Sequence, residues 1–247
     1  ELLGKGFEVV ASSSNREKAI SFKWFNSVEY IPVDLKSLSA ETNCYSLFGR
    51  PDMLIHLAWE GLPNYKSSFH TEENLPRHYF FLRNLIRHGL KDLTVTGTCF
   101  EYEMREGCLS EEMPAVPSNC YAIAKDKLRL QLDELMQVLP FNLKWIRLFY
   151  MYGQGQSPSS LLSQLQSAID RGDTVFNMSP GDQLRDYLPV EKVAENIVQI
   201  AIQNNQVGII NCCSGNPVEL KQLVRDYLKK RGTDIHLNLG YYAYADY

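Results

Sequence analysis

Short apolar runs alternate along the chain with stretches in which apolar positions return every three or four residues. "FEVVAS" (7–12), "MLIHLAW" (53–59), "DLTVTGT" (92–98) and "NLKWIRLFY" (142–150) are brief, apolar and rich in β-branched or aromatic residues, which predicts strands. Helical patterns follow them in turn: "NREKAISFKWF" (15–25), "ENLPRHYFFLRNLIRHG" (73–89), "SNCYAIAKDKLRLQLDELM" (118–136) and a helix from about Pro158. Strands with little polar alternation are buried on both faces, and their alternation with helices predicts a parallel sheet with crossover helices. The fold class is therefore α/β, a doubly wound parallel sheet.

Beyond "RLFYMYGQGQ" the alternation loosens. "SSLLSQLQSAIDRGD" reads as a helix and "TVFNMSPGDQLRDYLP" as extended chain, before "VEKVAENIVQIAIQ" and "GIINCCSG" restore helix and strand. A small lobe inserted late into the main sheet is expected, closing over the crevice at the carboxyl ends of the strands, where open α/β sheets bind ligands. The opening "ELLGKGFEVVASSS" reads as a helix end, a glycine turn and a second strand, so a first strand is expected upstream.

Composition narrows the function. A formal charge of −4 with no basic run argues against a nucleic-acid surface, so an anionic ligand must be held by a few local arginines. No apolar stretch approaches the roughly 20 residues of a membrane span. Cys44, Cys99, Cys108, Cys120, Cys212 and Cys213 include no C-x-x-C, which points to reduced, largely buried thiols and a cytoplasmic protein. His70, His78 and His88 lack metal-ligand spacing, His56 reads as a packed core residue, and no metal is assigned.

Candidate chemistry lies on one helix. Tyr121 and Lys125 form the chain's single Tyr-x-x-x-Lys, and residues four apart share a helical face. A phenol titrating near 10 is a poor acid-base group at neutral pH. An ammonium at ~4 Å, at an effective dielectric of about 20, favours its phenolate by roughly 4 kcal/mol, up to about three pK units. Lys125 is thus expected to lower Tyr121. The bland alternative is an exposed phenol beside a solvated lysine. Thr98 ends a strand, where its hydroxyl either faces the crevice or caps a turn.

The ordered set "VDL" (33–35), "HLAWEG" (56–61), "ENL" (73–75), "TGTCFEY" (96–102), Tyr121-x-x-x-Lys125, "RLFYMYG" (147–153) and "LRDYLPVEKVA" (184–194) resembles an extended short-chain dehydrogenase/reductase, within it the NAD-dependent epimerase/dehydratase branch acting on nucleotide sugars. The resemblance implies a Rossmann-like dinucleotide-binding domain over 1–150, N-terminally incomplete, and a mainly substrate-binding lobe over 151–247, with 190–215 returning to the main sheet. It implies Thr98, Tyr121 and Lys125 as catalytic residues. Cofactor contacts fall on Asp34 and Leu35 at the adenine, on Leu57, Ala58 and Trp59 along the ribose and pyrophosphate, and on Lys125 at the nicotinamide ribose, beside Tyr121.

At the end of the second strand, Ser12, Ser13 and Arg16 offer donors and a positive charge where a carboxylate would accept from a 2′-hydroxyl, favouring NADP(H) over NAD(H). The alternative there is a solvated helix start capped by Ser14 or Asn15. Asp34 has a rival role as the cap of "LKSLSAE". Substrate contacts are implied for Asn74, Thr98, Tyr150 and Arg185, the last gripping a nucleotide diphosphate through its planar donor fork; a salt bridge to Asp182 or Asp186 is its alternative. The family's dehydratases follow the threonine with Asp and Glu, whereas here Cys99 and Phe100 follow it. Tyr150 replaces a common asparagine, and Cys120 a common proline. These features favour reduction of the C4 ketone of an NDP-4-keto-6-deoxyhexose, dTDP-linked, in deoxyhexose supply for lipopolysaccharide or O-antigen. A 4-epimerase and a catalytically silent nucleotide-binding regulator are the alternatives, and the resemblance implies a homodimer.

Overall fold

The computed structural model describes residues 1–105 and 107–244. In chain order its principal elements are β1 (Val10–Ala11), α1 (Arg16–Ile20), β2 (Glu29–Tyr30), α2 (Cys44–Leu47), β3 (Met53–His56), α3 (Leu75–Arg87), β4 (Asp92–Thr98), α4 (Cys120–Met136), β5 (Asn142–Leu148), β6 (Tyr150–Tyr152), α5 (Leu161–Arg171), β7 (Val175–Met178), β8 (Leu184–Arg185), β9 (Tyr187–Pro189), α6 (Val190–Ile202), β10 (Gly208–Cys212), β11 (Val218–Glu219), α7 (Leu220–Arg231) and β12 (His236–Leu239). None of the helices is long and apolar enough to cross a membrane, among the described residues.

Two compact units divide the chain, the first comprising Glu1–Leu148 and Glu195–Asn211, the second Phe149–Ala194 and Cys212 onward. The first unit holds the parallel sheet. β4 lies between β3 and β5, pairing His56 with Val95 and Leu148 with Thr98, and β10 adjoins β5. β1 and β2 form a separate parallel pair. A common doubly wound order is 3-2-1-4-5-6. Set against it, β2-β1 corresponds to places 3-2 and β3-β4-β5 to places 4-5-6, with β10 beyond them, and strands β1 and β3 each keep an edge with no strand partner among the described residues.

The apolar sequence of the central strands becomes the core. Leu93, Val95, Leu143 and Trp145 from β4 and β5 pack with Leu82, Leu85 and Leu90 and with Leu128 and Leu132 of α4. Asn119 starts α4 by accepting from the Ala122 N–H at 2.9 Å, which satisfies one of the donors a helix start leaves open. A single π-helical turn, His70–Asn74, runs directly into α3 and turns the His70 and Asn74 side chains inward, both buried. Such turns recur at functional sites.

In the second unit, β7 pairs with β12 in parallel, β6 with β9 in parallel and β8 with β11 antiparallel. Leu162, Leu165, Phe176, Met178, Val224, Leu228 and Ile235 form its core. α7 ends at Gly232, φ +63°, after Lys229, Lys230 and Arg231: glycine takes the left-handed cap without strain, and the cations meet the negative end of the helix.

Candidate active site

The carboxyl end of β4 is shaped by a buried carboxylate. Glu101 accepts from the Thr98 backbone N–H at 2.9 Å, from Trp145 Nε1 at 3.1 Å and from Arg147 Nε at 2.7 Å. Burial pushes its carboxyl up, against the pull of Arg147. Gly97 permits this approach, because a Cβ there would run into Trp145 Nε1 and Glu101 Oε1. Thr98 Oγ1 accepts from the Phe100 N–H at 3.3 Å, so the threonine caps the turn Cys99–Tyr102 and Glu101 completes a capping box. The same side chain acts on the Tyr121 phenol, opposing the rise that burial gives it. Of the two readings of Thr98, the turn cap is thus realised.

Tyr121 and Lys125 lie one turn apart on α4, both buried. The Tyr121 N–H donates to the Tyr65 carbonyl at 3.0 Å. Lys125 Nζ donates to the Thr96 carbonyl at 2.8 Å and sits 4.1 Å from the centre of the Trp59 ring. This arrangement corrects the expected electrostatics. The Tyr121 phenol is raised above its ordinary range by burial, only partly opposed by Thr98, with the Glu101 charge adding to the rise. Lys125 is pushed down to about 7 by burial, with Glu101 opposing. Removing two groups from water disfavours the charged form of each, and here that outweighs their proximity on the helix.

An aromatic cluster surrounds the pair. The indole N–H of Trp59 donates to His70 Nδ1 at 3.1 Å, while His70 Nε2 meets the Asn64 carbonyl at 2.9 Å. His78 stacks on Trp59 at 4.7 Å, and Tyr121 stands edge-on to Trp59 at 6.1 Å. His56 Nε2 and His78 Nδ1 are 2.8 Å apart. Desolvation holds His56 well below the usual imidazole range and His78 at about 3. Asn74 donates to the Glu60 carbonyl at 2.9 Å and reaches His70 Nδ1 at 3.4 Å.

The residues expected at the dinucleotide lie on the carboxyl side of parallel strands. Ser12, Ser13 and Arg16, after β1, are exposed, and Asn15 caps α1 by accepting from the Lys18 N–H. Ser13 Oγ is already paired with the Tyr30 hydroxyl at 2.8 Å. Asp34 is exposed and accepts from the Lys36 N–H at 3.0 Å, capping a short turn, while Leu35 is half-buried against the core. Leu57 is 59% exposed beyond β3, and Ala58 is exposed with it. An open apolar ledge after β3 and exposed polar groups after β1 suit a dinucleotide laid across strand ends.

In the second unit, the Arg185 guanidinium lies 5.5 Å from the centre of the Tyr150 ring and donates to the Leu184 carbonyl. The carboxylates that rivalled this reading are occupied otherwise. Asp186 accepts from the Ser214 and Gly215 N–H groups at 2.7 Å each, and Asp182 from the Tyr244 hydroxyl.

Sequence reasoning brought Thr98, Tyr121, Lys125, Trp59 and Asn74 to one place, and the structure gathers them there. It missed Glu101 and the bond between Trp59 and His70. Glu101 was readable, since Thr98-x-x-Glu101 is the capping-box pattern. The indole–imidazole bond joins the segment after β3 to the π-helical turn and leaves no local signal.

Three comparisons bear on this geometry. The family model described as "NAD dependent epimerase/dehydratase family" matches residues 1–213. The dTDP-6-deoxy-L-talose 4-dehydrogenase (NAD(+)) of Aggregatibacter actinomycetemcomitans is 30% identical over 236 residues, covering 95% of this chain and 86% of that protein. The UDP-glucose 4-epimerase of Thermotoga maritima, solved with UDP-glucose, superposes with a TM-score of 0.80 at 18% identity, covering 100% of this chain and 84% of that one. MoeE5, solved with UDP-glucuronic acid and NAD, also gives 0.80, at 21% identity over 99% of this chain and 81% of that one. The fold is that of these Rossmann-like enzymes, and the chain belongs to the NAD-dependent epimerase/dehydratase family of nucleotide-sugar enzymes.

Proposed function

We propose that the chain reduces the C4 ketone of a nucleotide-linked 4-keto-6-deoxyhexose, dTDP-linked, to the C4 alcohol. The observation that carries this reading is the placement of Tyr121 beside Thr98 at the carboxyl end of β4, with Lys125 one turn further along α4. Tyr121, kept protonated by burial, gives its proton to the oxygen at C4, and Thr98 orients that oxygen. Bound nicotinamide supplies the reducing equivalent to carbon C4. Lys125 holds the nicotinamide ribose, Asp34 and Leu35 the adenine, and Leu57, Ala58 and Trp59 the intervening ribose and pyrophosphate. Asn74 and Tyr150 contact the sugar nucleotide, and Arg185 takes the diphosphate. Buried Phe100, edge-on to Tyr65 at 5.1 Å, and Cys99 supply no acid-base pair for eliminating water.

We further read NADPH as the preferred reductant, from Ser12, Ser13 and Arg16 and the absence of a carboxylate between β1 and Arg16. The Aggregatibacter relative is named for the same carbon and a 6-deoxyhexose, with NAD(+), which supports the reaction class. The test is to mix the enzyme with dTDP-4-keto-6-deoxyglucose and NADPH. Stoichiometric loss of reduced cofactor with a product heavier by two hydrogens is expected. Conversion of a UDP-hexose to its C4 epimer with no net cofactor loss would select an epimerase instead.

A further inference from the structure

We infer that Trp59 is a positioning residue for the Tyr121–Lys125 pair, its indole locked in orientation by His70 and presenting a ring face to the Lys125 ammonium. The inference deepens the proposed reaction and rests on the role of Lys125 beside Tyr121 in it.

The lock follows from donor and acceptor roles. A backbone carbonyl only accepts, so the 2.9 Å contact with the Asn64 carbonyl places the proton on His70 Nε2 and leaves Nδ1 as an acceptor. The Trp59 indole N–H, which only donates, fills that acceptor at 3.1 Å. His78 stacked at 4.7 Å, with 18° between the planes, restrains the ring further. Because His70 is fully buried and on the π-helical turn, rotating the indole breaks its bond to a fixed acceptor.

Lys125 has few means of remaining charged. It is 2% exposed, and its ammonium donates to the Thr96 carbonyl. His56 of β3, His70 of the π-helical turn and His78 of α3 face it as imidazoles whose protonation is depressed. Tyr121, on its own helix, is a neutral phenol, and Glu101, from the turn after β4, contributes the attracting carboxylate. The Trp59 face, 4.1 Å from Nζ, is then a further group that favours the ammonium over the amine. The same ring stands edge-on to Tyr121, so one indole sets the position of both members of the pair.

The test follows Lys125 itself, by NMR titration of protein labelled with [ε-13C]lysine, the signal being assigned with Lys125→Met. In Trp59→Leu the Lys125 titration should move to lower pH by about one unit, and the alkaline limb of kcat/KM should move with it. Trp59→Phe, which keeps a weaker ring face and loses the N–H, should shift in the same direction by less, and it serves alone if the leucine variant fails to fold. An unmoved Lys125 signal in a folded variant overturns the positioning role and leaves the proposed reaction standing. A moved signal in an enzyme that reduces no keto sugar overturns the reaction instead, because the titration is read without substrate.

Discussion

Burial of Tyr121 raises the cost of its phenolate, so at neutral pH the side chain is a proton donor rather than a base. That suits the ketone-reducing direction. Tyr121→Phe removes the proton and the hydroxyl beside Thr98 while leaving Lys125 and Trp59 in place. Turnover should fall by roughly 10²–10⁴-fold, with cofactor affinity nearly unchanged in a direct binding measurement; turnover within a few-fold of wild type would return the pair to a structural role. The pair was legible in the sequence because residues four apart share a helical face. The direction of its electrostatics was not, because desolvation depends on Trp59, Thr96 and Glu101, which reach α4 from elsewhere in the chain.

At the scale of elements, legibility followed burial. "DLTVTGT" was expected as a strand and is β4 over the same residues, Asp92–Thr98, lying between two strands with its side chains almost wholly buried. "FEVVAS" shrinks to Val10–Ala11, paired on one edge only. The helix expected over 15–25 stops at Ile20, after which Phe22 and Trp24 stack at 5.5 Å in a turn of their own. Gly97 links β4 to the site: Gly97→Ala must displace Trp145 or Glu101, and such overpacking costs about 1–3 kcal/mol, measurable as a lowered denaturation midpoint. A midpoint equal to wild type would show that the glycine is not required.

The buried imidazoles between β3 and α3 set an acid limit. His56 and His78 titrate below their ordinary 6.5 in the folded chain, so between pH 6.5 and about 3 the unfolded chain binds protons that the folded chain does not. Stability therefore falls as pH drops through this window. Lys125, lowered from 10.5 to about 7, acts in the same sense at higher pH, stability rising between those values. Denaturant midpoints at pH 7.5 and 5 should show a loss at the lower pH, and equal midpoints would contradict the burial of neutral histidines.

For the molecule as a whole, the strand and helix alternation was enough to expect a parallel α/β sheet with crossover helices, and the resemblance implied its Rossmann-like form. The pairings of the second unit were less legible: β8, β9 and β11 are two or three residues long, too short for periodicity to speak. Cofactor choice belongs at this scale, since it depends on a strand end far in sequence from Tyr121. NADPH should bind more tightly than NADH, and Arg16→Ala should narrow the gap by about 1.5–3 kcal/mol in titration calorimetry. Equal affinities in the wild type would assign the chain the NAD(+) of its Aggregatibacter relative. The most direct test of the central claim uses reduced cofactor deuterated at the transferring position of the nicotinamide, together with dTDP-4-keto-6-deoxyglucose, and locates the label by NMR. The account predicts deuterium on C4 of the product sugar in amounts matching the cofactor oxidised; a product without deuterium at C4, or no oxidation of the cofactor at all, would contradict it.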